Sequence, residues 1–261
     1  MDVVLGNFLQ VVGRSFLNFL ESIGRLTIFL LKSILAVFTP PYEWRRLGEQ
    51  FIQIGYYSLP VVGLTTLFTG MVLALQSYTG FSRFNAEGAV AAVVVLSVTR
   101  ELAPVLAGLM VAGRMGASMA AEIGTMRVTE QIDALYTLSA NPFQYLIAPR
   151  ILAAVVMLPA LVLIGDIIGI FGGFLVGVYK LDFNAASYIS QSWEFLEAMD
   201  VISGLVKATV FGFWVAAMGC YHGFYSGRGA QGVGLATTYA VVSSSILILI
   251  FNYVLTQVFF S

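Results

Sequence analysis

Two long stretches of this chain contain no charged residue, and they limit its possible folds more than any other feature. One covers residues 50–82, and the other ends at Ser261. A helix needs about 20 consecutive apolar residues to cross the hydrocarbon core of a bilayer, so both stretches are long enough. Charged residues make up only 10% of the chain and hydrophobic residues 59%, whereas soluble domains are about 25% charged. The sequence therefore predicts several membrane-spanning helices.

Turn residues and charged connections divide the chain into five expected spans. We place them at residues 56–78, 88–113, 151–179, 201–221 and 235–259. The predicted fold is all-α: a five-helix membrane bundle over residues 56–261, within a single domain of residues 1–261. Lysine and arginine accumulate in cytoplasmic loops. The N-terminal region and the even-numbered connections hold nine of them outside the spans, and the other side holds two. We therefore expect a cytoplasmic N-terminus and a C-terminus on the opposite side.

The first 40 residues are apolar but carry four charges in a regular pattern. Arg14, Glu21, Arg25 and Lys32 fall within roughly 20° of one line on a helix with about 100° per residue. A narrow charged stripe on an apolar helix favours a position in the membrane surface. The alternative is a further span with a polar seam, which four charges would make costly. We predict an interfacial amphipathic helix over residues 1–40.

Four charged residues lie within the predicted spans, and Asp200 directly precedes the fourth. Arg100 and Glu101 are near the middle of the second span, Asp166 is in the third, and Asp200 and Lys207 are near the start of the fourth. A charge at mid-bilayer costs roughly 2.5–3.5 kcal/mol even on a lenient scale, so such residues usually pair or face a polar cavity. Two pairings are open, Glu101 with Lys207 and Arg100 with Asp166. The pairs either clamp helices together or line a route for a charged or zwitterionic headgroup.

Residues 120–135 combine charged and apolar side chains in the connection between the second and third spans. We expect a short cytoplasmic helix over residues 127–135 that forms a docking surface, since a solvated loop has little use for apolar residues. The residues expected to form this surface are Glu122, Gly124, Met126, Arg127, Glu130, Gln131 and Asp133.

Several functional classes are excluded by residues that the sequence lacks. Cys220 and His222 are the only residues of their types, which excludes disulfides and Cys/His metal sites within one chain. The dipeptide Gly-Lys never occurs, so the chain has no P-loop for ATP. The net charge of −1 leaves no nucleic-acid footprint. We expect no cofactor in this chain and no catalysis by it.

Several short motifs occur in a fixed order. They are RELAP from Arg100, GRMGA from Gly113, AEIGTM from Ala121, TEQ from Thr129, DIIGIFGG from Asp166 and GLVKATVFG from Gly204. In this order and spacing they resemble the MlaE-type permease family of ABC transporters, and the resemblance covers residues 43–261.

The resemblance implies a fold, a location and partners. Members are bacterial inner-membrane permease subunits that form homodimers with two cytoplasmic ATPase subunits, which bind ATP and Mg. A periplasmic MCE-domain protein, expected as a hexamer, and in some systems a STAS-domain protein complete the assembly. Members move phospholipid between the inner membrane and the MCE carrier, which maintains outer-membrane lipid asymmetry.

The resemblance also implies roles for residues. The segment 120–135 would be the coupling helix that meets the ATPase, and Arg100, Glu101 and Lys207 would lie along the lipid path. The rival function is an ion- or proton-coupled secondary transporter or channel that uses Glu101, Asp166 and Lys207. Five spans without a strong internal repeat count against it. A membrane scaffold without transport activity is the third possibility.

Overall fold

The computed structural model describes residues 2–40, 43–84 and 86–260, with the side chains of residues 2–12, 15 and 19 left aside. The described residues are helical almost throughout and contain no strand. The helices are α1 (Asp2–Phe38), α2 (Trp44–Ile54), α3 (Leu59–Phe81), α4 (Val90–Ser97), α5 (Ala103–Val111), α6 (Ala117–Val128), α7 (Gln131–Thr137), α8 (Ala148–Tyr179), α9 (Ala185–Phe195), α10 (Ala198–Phe224) and α11 (Gly229–Phe260).

Five helical stretches of the described chain are long and apolar enough to cross a membrane, so the predicted all-α, five-span fold is confirmed. They are Trp44–Phe84, Glu87–Val128, Phe143–Tyr179, Ala198–Phe224 and Gly229–Phe260. Short 3₁₀ or π turns join the helices inside the first two stretches, and a π turn begins the third.

The helix that contains the predicted second span continues beyond Gly113 to Val128 and runs for 42 residues. Arg114 does not end it. The Arg114 guanidinium donates to the Gln53 carbonyl at 3.0 Å and to the Ser58 hydroxyl at 2.7 Å. Because its partners lie on the neighbouring first stretch, this charge is satisfied inside the protein, and the helix need not break to solvate it.

Helix α1 is a continuous helix of 37 residues and is not one of the five spans. Most of its described apolar side chains are exposed, whereas Phe29, Ser33 and Ala36 are buried. The Phe29 ring contacts Phe143 and Tyr221 at centroid distances of 5.5 and 5.4 Å. The C-terminal half of α1 therefore packs on the bundle and leaves a long apolar face open. The position of α1 in the membrane surface stays a prediction.

Helices α3 and α8 approach each other closely at glycine residues. A Cβ atom on Gly70 would lie 1.9 Å from the carbonyl oxygen of Gly169. Small residues at such a crossing allow the two backbones to touch, which is the usual way in which membrane helices pack. Helix α8 also packs against α10 and thus lies in the centre of the bundle.

Candidate functional site

The centre of the site is a wide helical turn in the second membrane span. Residues Val98–Leu102 form a π turn between α4 and α5 and carry Arg100 and Glu101. Pro104 follows and has no N–H with which to close a helical hydrogen bond to the Arg100 carbonyl four residues earlier. Such turns often occur at functional sites. Here the turn leaves a main-chain acceptor available to a side chain from another helix.

That side chain is Lys207 of α10, which is fully buried. It lies nine residues after the first residue of α10, roughly 13 Å along the helix axis. Its Nζ atom donates to the Arg100 carbonyl at 2.8 Å, to Glu101 Oε1 at 2.7 Å and to Thr256 Oγ1 at 2.8 Å. An ammonium group has three donors, and all three are used. The predicted pairing of Glu101 with Lys207 is confirmed.

Helix α11 completes the surroundings of the Glu101 carboxylate. Asn252 Nδ2 donates to Oε2 at 2.8 Å, and the Thr256 hydroxyl lies 2.8 Å from Oε1. We call Arg100, Glu101, Lys207, Asn252 and Thr256 the intramembrane network. The sequence analysis did not predict a role for Asn252 or Thr256, because it considered only charged residues and the last span has none. A polar pair four residues apart in an apolar helix shares one face and was the available signal.

The predicted pairing of Arg100 with Asp166 is wrong. Arg100 Nε donates to Asp200 Oδ1 at 2.7 Å, and Asp200 is fully buried. The second oxygen of Asp200 accepts from the Glu197 N–H at 3.0 Å, as part of a capping box at the start of α10. The buried Asp166 side chain has no hydrogen-bond partner among the described residues.

One side of the network is open. The Arg100 side chain is 34% exposed and that of Glu101 is 36% exposed, although their partners Asp200 and Lys207 are both fully buried. Within the described chain, Arg100 uses only Nε for hydrogen bonding, and its guanidinium lies 4.4 Å from the centre of the Phe260 ring. The two terminal nitrogens of Arg100 therefore remain as donors on the open side. A guanidinium group with free donors can bind a phosphate.

The expected docking segment contains a break that the sequence reasoning did not foresee. We predicted one helix over residues 127–135, but α6 ends at Val128 and α7 begins at Gln131. Glu130 has φ of 59°, the left-handed region that side chains other than glycine seldom adopt. The backbone turns there, and α7 contacts α6.

Three of the seven predicted docking residues, Glu122, Gly124 and Met126, contact the bundle and form an inner group, although the Glu122 side chain is 50% exposed. Glu122 accepts from the buried Arg150 at 2.8 Å, and a Cβ on Gly124 would lie 3.3 Å from the Ser226 hydroxyl. Met126 is half-buried against the core. The outer group consists of Arg127, Glu130, Gln131 and Asp133, and it carries an ion pair of 2.7 Å between Arg127 and Asp133.

Exposed apolar residues lie beside the outer group. Tyr136 is 52% exposed and Leu138 is 76% exposed. Ile132 of α7 is fully buried and fixes this helix to the bundle. The outer group and the exposed residues Tyr136 and Leu138 thus form one mixed polar and apolar surface, which we call the foot.

Comparisons with known proteins place these features in context. A family model described as Permease MlaE matches residues 47–258, a range that contains the intramembrane network and the foot. A protein of Rickettsia bellii described as a probable ABC transporter permease protein is 60% identical over 257 residues, which cover 98% of this chain and 99% of that one.

More distant relatives carry more specific descriptions. The intermembrane phospholipid transport system permease protein MlaE of Haemophilus influenzae is 34% identical over 259 residues, which cover 97% of this chain and 98% of that one. The chloroplastic protein TRIGALACTOSYLDIACYLGLYCEROL 1 of Arabidopsis thaliana is 37% identical over 229 residues, which cover 87% of this chain and 65% of that one.

Proposed function

The chain belongs to the MlaE family of permeases, and from this premise we propose that it is the membrane subunit of an ATP-driven phospholipid transporter. It would move phospholipid between the bacterial inner membrane and a periplasmic MCE carrier and so maintain outer-membrane lipid asymmetry. The permease description of the family and the five apolar spans support the general role. The phospholipid cargo is supported by the description of the relative from Haemophilus influenzae.

The observation that carries the lipid proposal is the half-open polar network. A phospholipid presents a phosphate and two acyl chains, so it needs a few polar groups next to wide apolar walls. Arg100 offers two unused donor nitrogens on the open side of the network, and Glu101 is accessible there too. Exposed apolar side chains of α3, including Leu64 and Phe68, provide such a wall. In this proposal Arg100 binds the phosphate, while Glu101 and Lys207 hold the wide turn in place.

The foot is the proposed contact with the subunits that hydrolyse ATP. Because the chain has no P-loop, it depends on a partner for ATP hydrolysis, and we propose that two cytoplasmic ATPase subunits bind ATP and Mg and dock on the foot. Glu130 and Gln131 would make the polar contacts, with Tyr136 and Leu138 as apolar anchors. The inner group would pass the movement to the spans, because the ion pair of Glu122 with Arg150 joins α6 to α8.

The remaining partners follow from the same proposal. Helix α11 leaves many large apolar side chains exposed, among them Ile246, Leu249 and Tyr253, and a second copy of the chain would cover part of this face. A hexameric MCE-domain protein would receive the lipid on the periplasmic side, and a STAS-domain protein would bind the ATPase. The N-terminus would be cytoplasmic and the C-terminus periplasmic.

Reconstitution tests the proposal directly. The chain is placed in vesicles with its ATPase, and transfer of a fluorescent phospholipid to the MCE protein is measured with ATP or with a non-hydrolysable analogue. We expect transfer with ATP only. Arg100→Gln should lower transfer strongly, whereas Arg45→Gln, which removes a charge outside the network, should leave it unchanged.

The rival function gives a different result in the same vesicles. An ion- or proton-coupled transporter would move its cargo without the ATPase and would respond to an imposed proton gradient. Transfer that follows the gradient and ignores ATP would refute the proposal. If the Arg100→Gln variant transfers lipid as well as the unchanged chain, only the phosphate-binding role of Arg100 is refuted, and the rest of the proposed function stands.

A further inference from the structure

Two adjoining cavities lie on either side of the C-terminal end of α1, away from the intramembrane network. The first has a volume of about 320 Å³ and is enclosed by the end of α1, the start of α2 and the start of α8. The second has a volume of about 630 Å³ and lies between α1 and residues 136–144. Both volumes fall in the usual range of small-molecule sites. Ala36 and Gln144 line both cavities, so the two are neighbours.

The two cavities differ in chemistry. Apolar side chains such as Leu47, Phe51, Leu152 and Val156 line the first cavity. Trp44 also lines it and is 73% exposed. Tryptophan is enriched at the boundary between headgroups and acyl chains of a bilayer. The first cavity therefore suits an acyl chain that enters from the surrounding lipid.

The second cavity suits an anionic headgroup. Its lining includes Lys32, Asn141 and Gln144, and no carboxylate is present among its described residues. The Lys32 ammonium group lies 5.9 Å from the centre of the Phe143 ring, and no described carboxylate forms an ion pair with it. The carboxylate that the two linings contain is Glu43, in the apolar cavity. Charge thus directs an anionic group away from the first cavity and towards the second.

Because an apolar and a cationic cavity share a wall, we propose that they bind one anionic phospholipid of the cytoplasmic leaflet. Its acyl chain occupies the apolar cavity and its phosphate lies near Lys32. This lipid is resident and separate from the transported one, since no residue of either lining belongs to the intramembrane network. The assignment to the cytoplasmic leaflet rests on the orientation in the proposed function, whereas lipid binding itself does not.

Such a lipid would join α1 to residues 136–144, a segment that begins within the foot at Tyr136. Gln144 Nε2 already donates to Thr39 Oγ1 at 2.9 Å across the same boundary. Arg46 donates to the Tyr145 hydroxyl, and its guanidinium stacks 3.7 Å from the centre of that ring. A lipid with one end in each cavity would reinforce this contact between α1 and the start of the third span.

Fluorescence of Trp44 provides the test. The chain contains three tryptophans, so Trp193→Phe with Trp214→Phe leaves Trp44 as the sole reporter. The full chain is reconstituted in vesicles of phosphatidylcholine with increasing fractions of acyl-brominated phosphatidylglycerol or acyl-brominated phosphatidylcholine. Bromine quenches a tryptophan that it contacts. We expect half-maximal quenching at a mole fraction about fivefold lower for the anionic lipid, the effect of one lysine near an anionic headgroup.

Matched variants separate the two cavities. Lys32→Gln should abolish the headgroup preference, whereas Arg45→Gln should keep it, because Arg45 lines neither cavity. Val156→Phe fills part of the apolar cavity and should reduce quenching by both lipids. Val61→Phe changes a similarly exposed valine on α3 outside the cavities and should not.

Four outcomes would overturn the proposal. Equal half-quenching fractions for the two lipids would remove the headgroup site, and unchanged quenching in Val156→Phe would remove the acyl site. If Lys32→Gln weakens ATPase binding and leaves quenching unchanged, the second cavity is a protein-docking surface. None of these results concerns transport, so the proposed function would stand in each case. Excess glycerol phosphate should leave quenching unchanged, because the acyl chain holds the lipid; displacement by it would refute the two-cavity arrangement.

Discussion

Replacing Lys207 by methionine should destabilise the chain mainly because it leaves the Glu101 carboxylate without its cation. Methionine has a similar length and fills the same space, but it removes all three hydrogen bonds from Nζ. Hydrogen bonds between membrane helices contribute only about 0.6 kcal/mol each on average. A carboxylate without its cation in the membrane costs roughly 2.5–3.5 kcal/mol. The unpaired Glu101 is therefore the largest single contribution, and its 36% exposure puts this contribution near the lower end, at about 2.5 kcal/mol, in addition to the lost hydrogen bonds.

The double variant tests this reasoning by the sign of its effect. Glu101→Gln alone leaves the fully buried Lys207 cation unpaired and should cost at least as much. Glu101→Gln with Lys207→Met removes both charges and should lose only hydrogen bonds, about 1–2 kcal/mol. The double variant should thus be more stable than either single variant, although it carries more changes.

Reversible unfolding of the purified chain in mixed micelles, followed by tryptophan fluorescence, measures these free energies. Thr209→Val is a suitable control, because the Thr209 hydroxyl bonds only within its own helix. If the losses of the two single variants simply add in the double variant, the charges do not stabilise each other and the reasoning is refuted.

Three further predictions concern packing, the unpaired carboxyl and the foot. Gly70→Ala should lower the thermal midpoint by several degrees, because its Cβ would collide with the backbone of α8. Gly80→Ala is the control and should be neutral, because a Cβ there meets open space in the same helix. Equal effects of the two substitutions would contradict the close crossing of α3 and α8. Asp200→Asn should destabilise the chain by about 1–3 kcal/mol, because Asp200 is buried and hydrogen-bonded at both oxygens. Asp166→Asn should be better tolerated, because the Asp166 carboxyl has no hydrogen-bond partner among the described residues to lose. Chemical denaturation measures both free energies of unfolding. Glu130→Gly should keep or raise the thermal midpoint, because glycine adopts the left-handed backbone conformation without strain. The same substitution should lower the amount of ATPase that co-purifies with the chain. Undiminished co-purification would argue against a docking role for the Glu130 side chain.

The number of spans could be predicted from the sequence, because a span is a property of local composition. Charge-free stretches of sufficient length require a helix in a membrane whatever surrounds them. The ends of the spans could not be predicted in the same way. Arg114 marks the end of a span only if its charge must reach water, and its partners on the first stretch make that unnecessary. Those contacts depend on tertiary packing.

The same limit explains the mixed result for the charge pairs. The energy of a charge in a membrane predicts that the charges near the spans have partners, and Glu101–Lys207 was one of the two pairings left open. The choice between Asp166 and Asp200 as the partner of Arg100 depends on how far α8 and α10 are shifted along their axes relative to the second span. Helix α10 begins at Ala198, three residues before the predicted span, so Asp200 lies in its first turn within reach of Arg100. The roles in transport assigned to these residues stay predictions.

Pro104 influences the network through a bond that it cannot form. An alanine at this position would supply a new N–H that shares the Arg100 carbonyl with the Lys207 ammonium, and the hydrogen bond of Lys207 would weaken with no change in any charged side chain. The chain and its Pro104→Ala variant would have the same ionisable groups. The hydrogen bonding of the intramembrane network therefore depends partly on a proline, and a substitution that preserves every charge would still alter it.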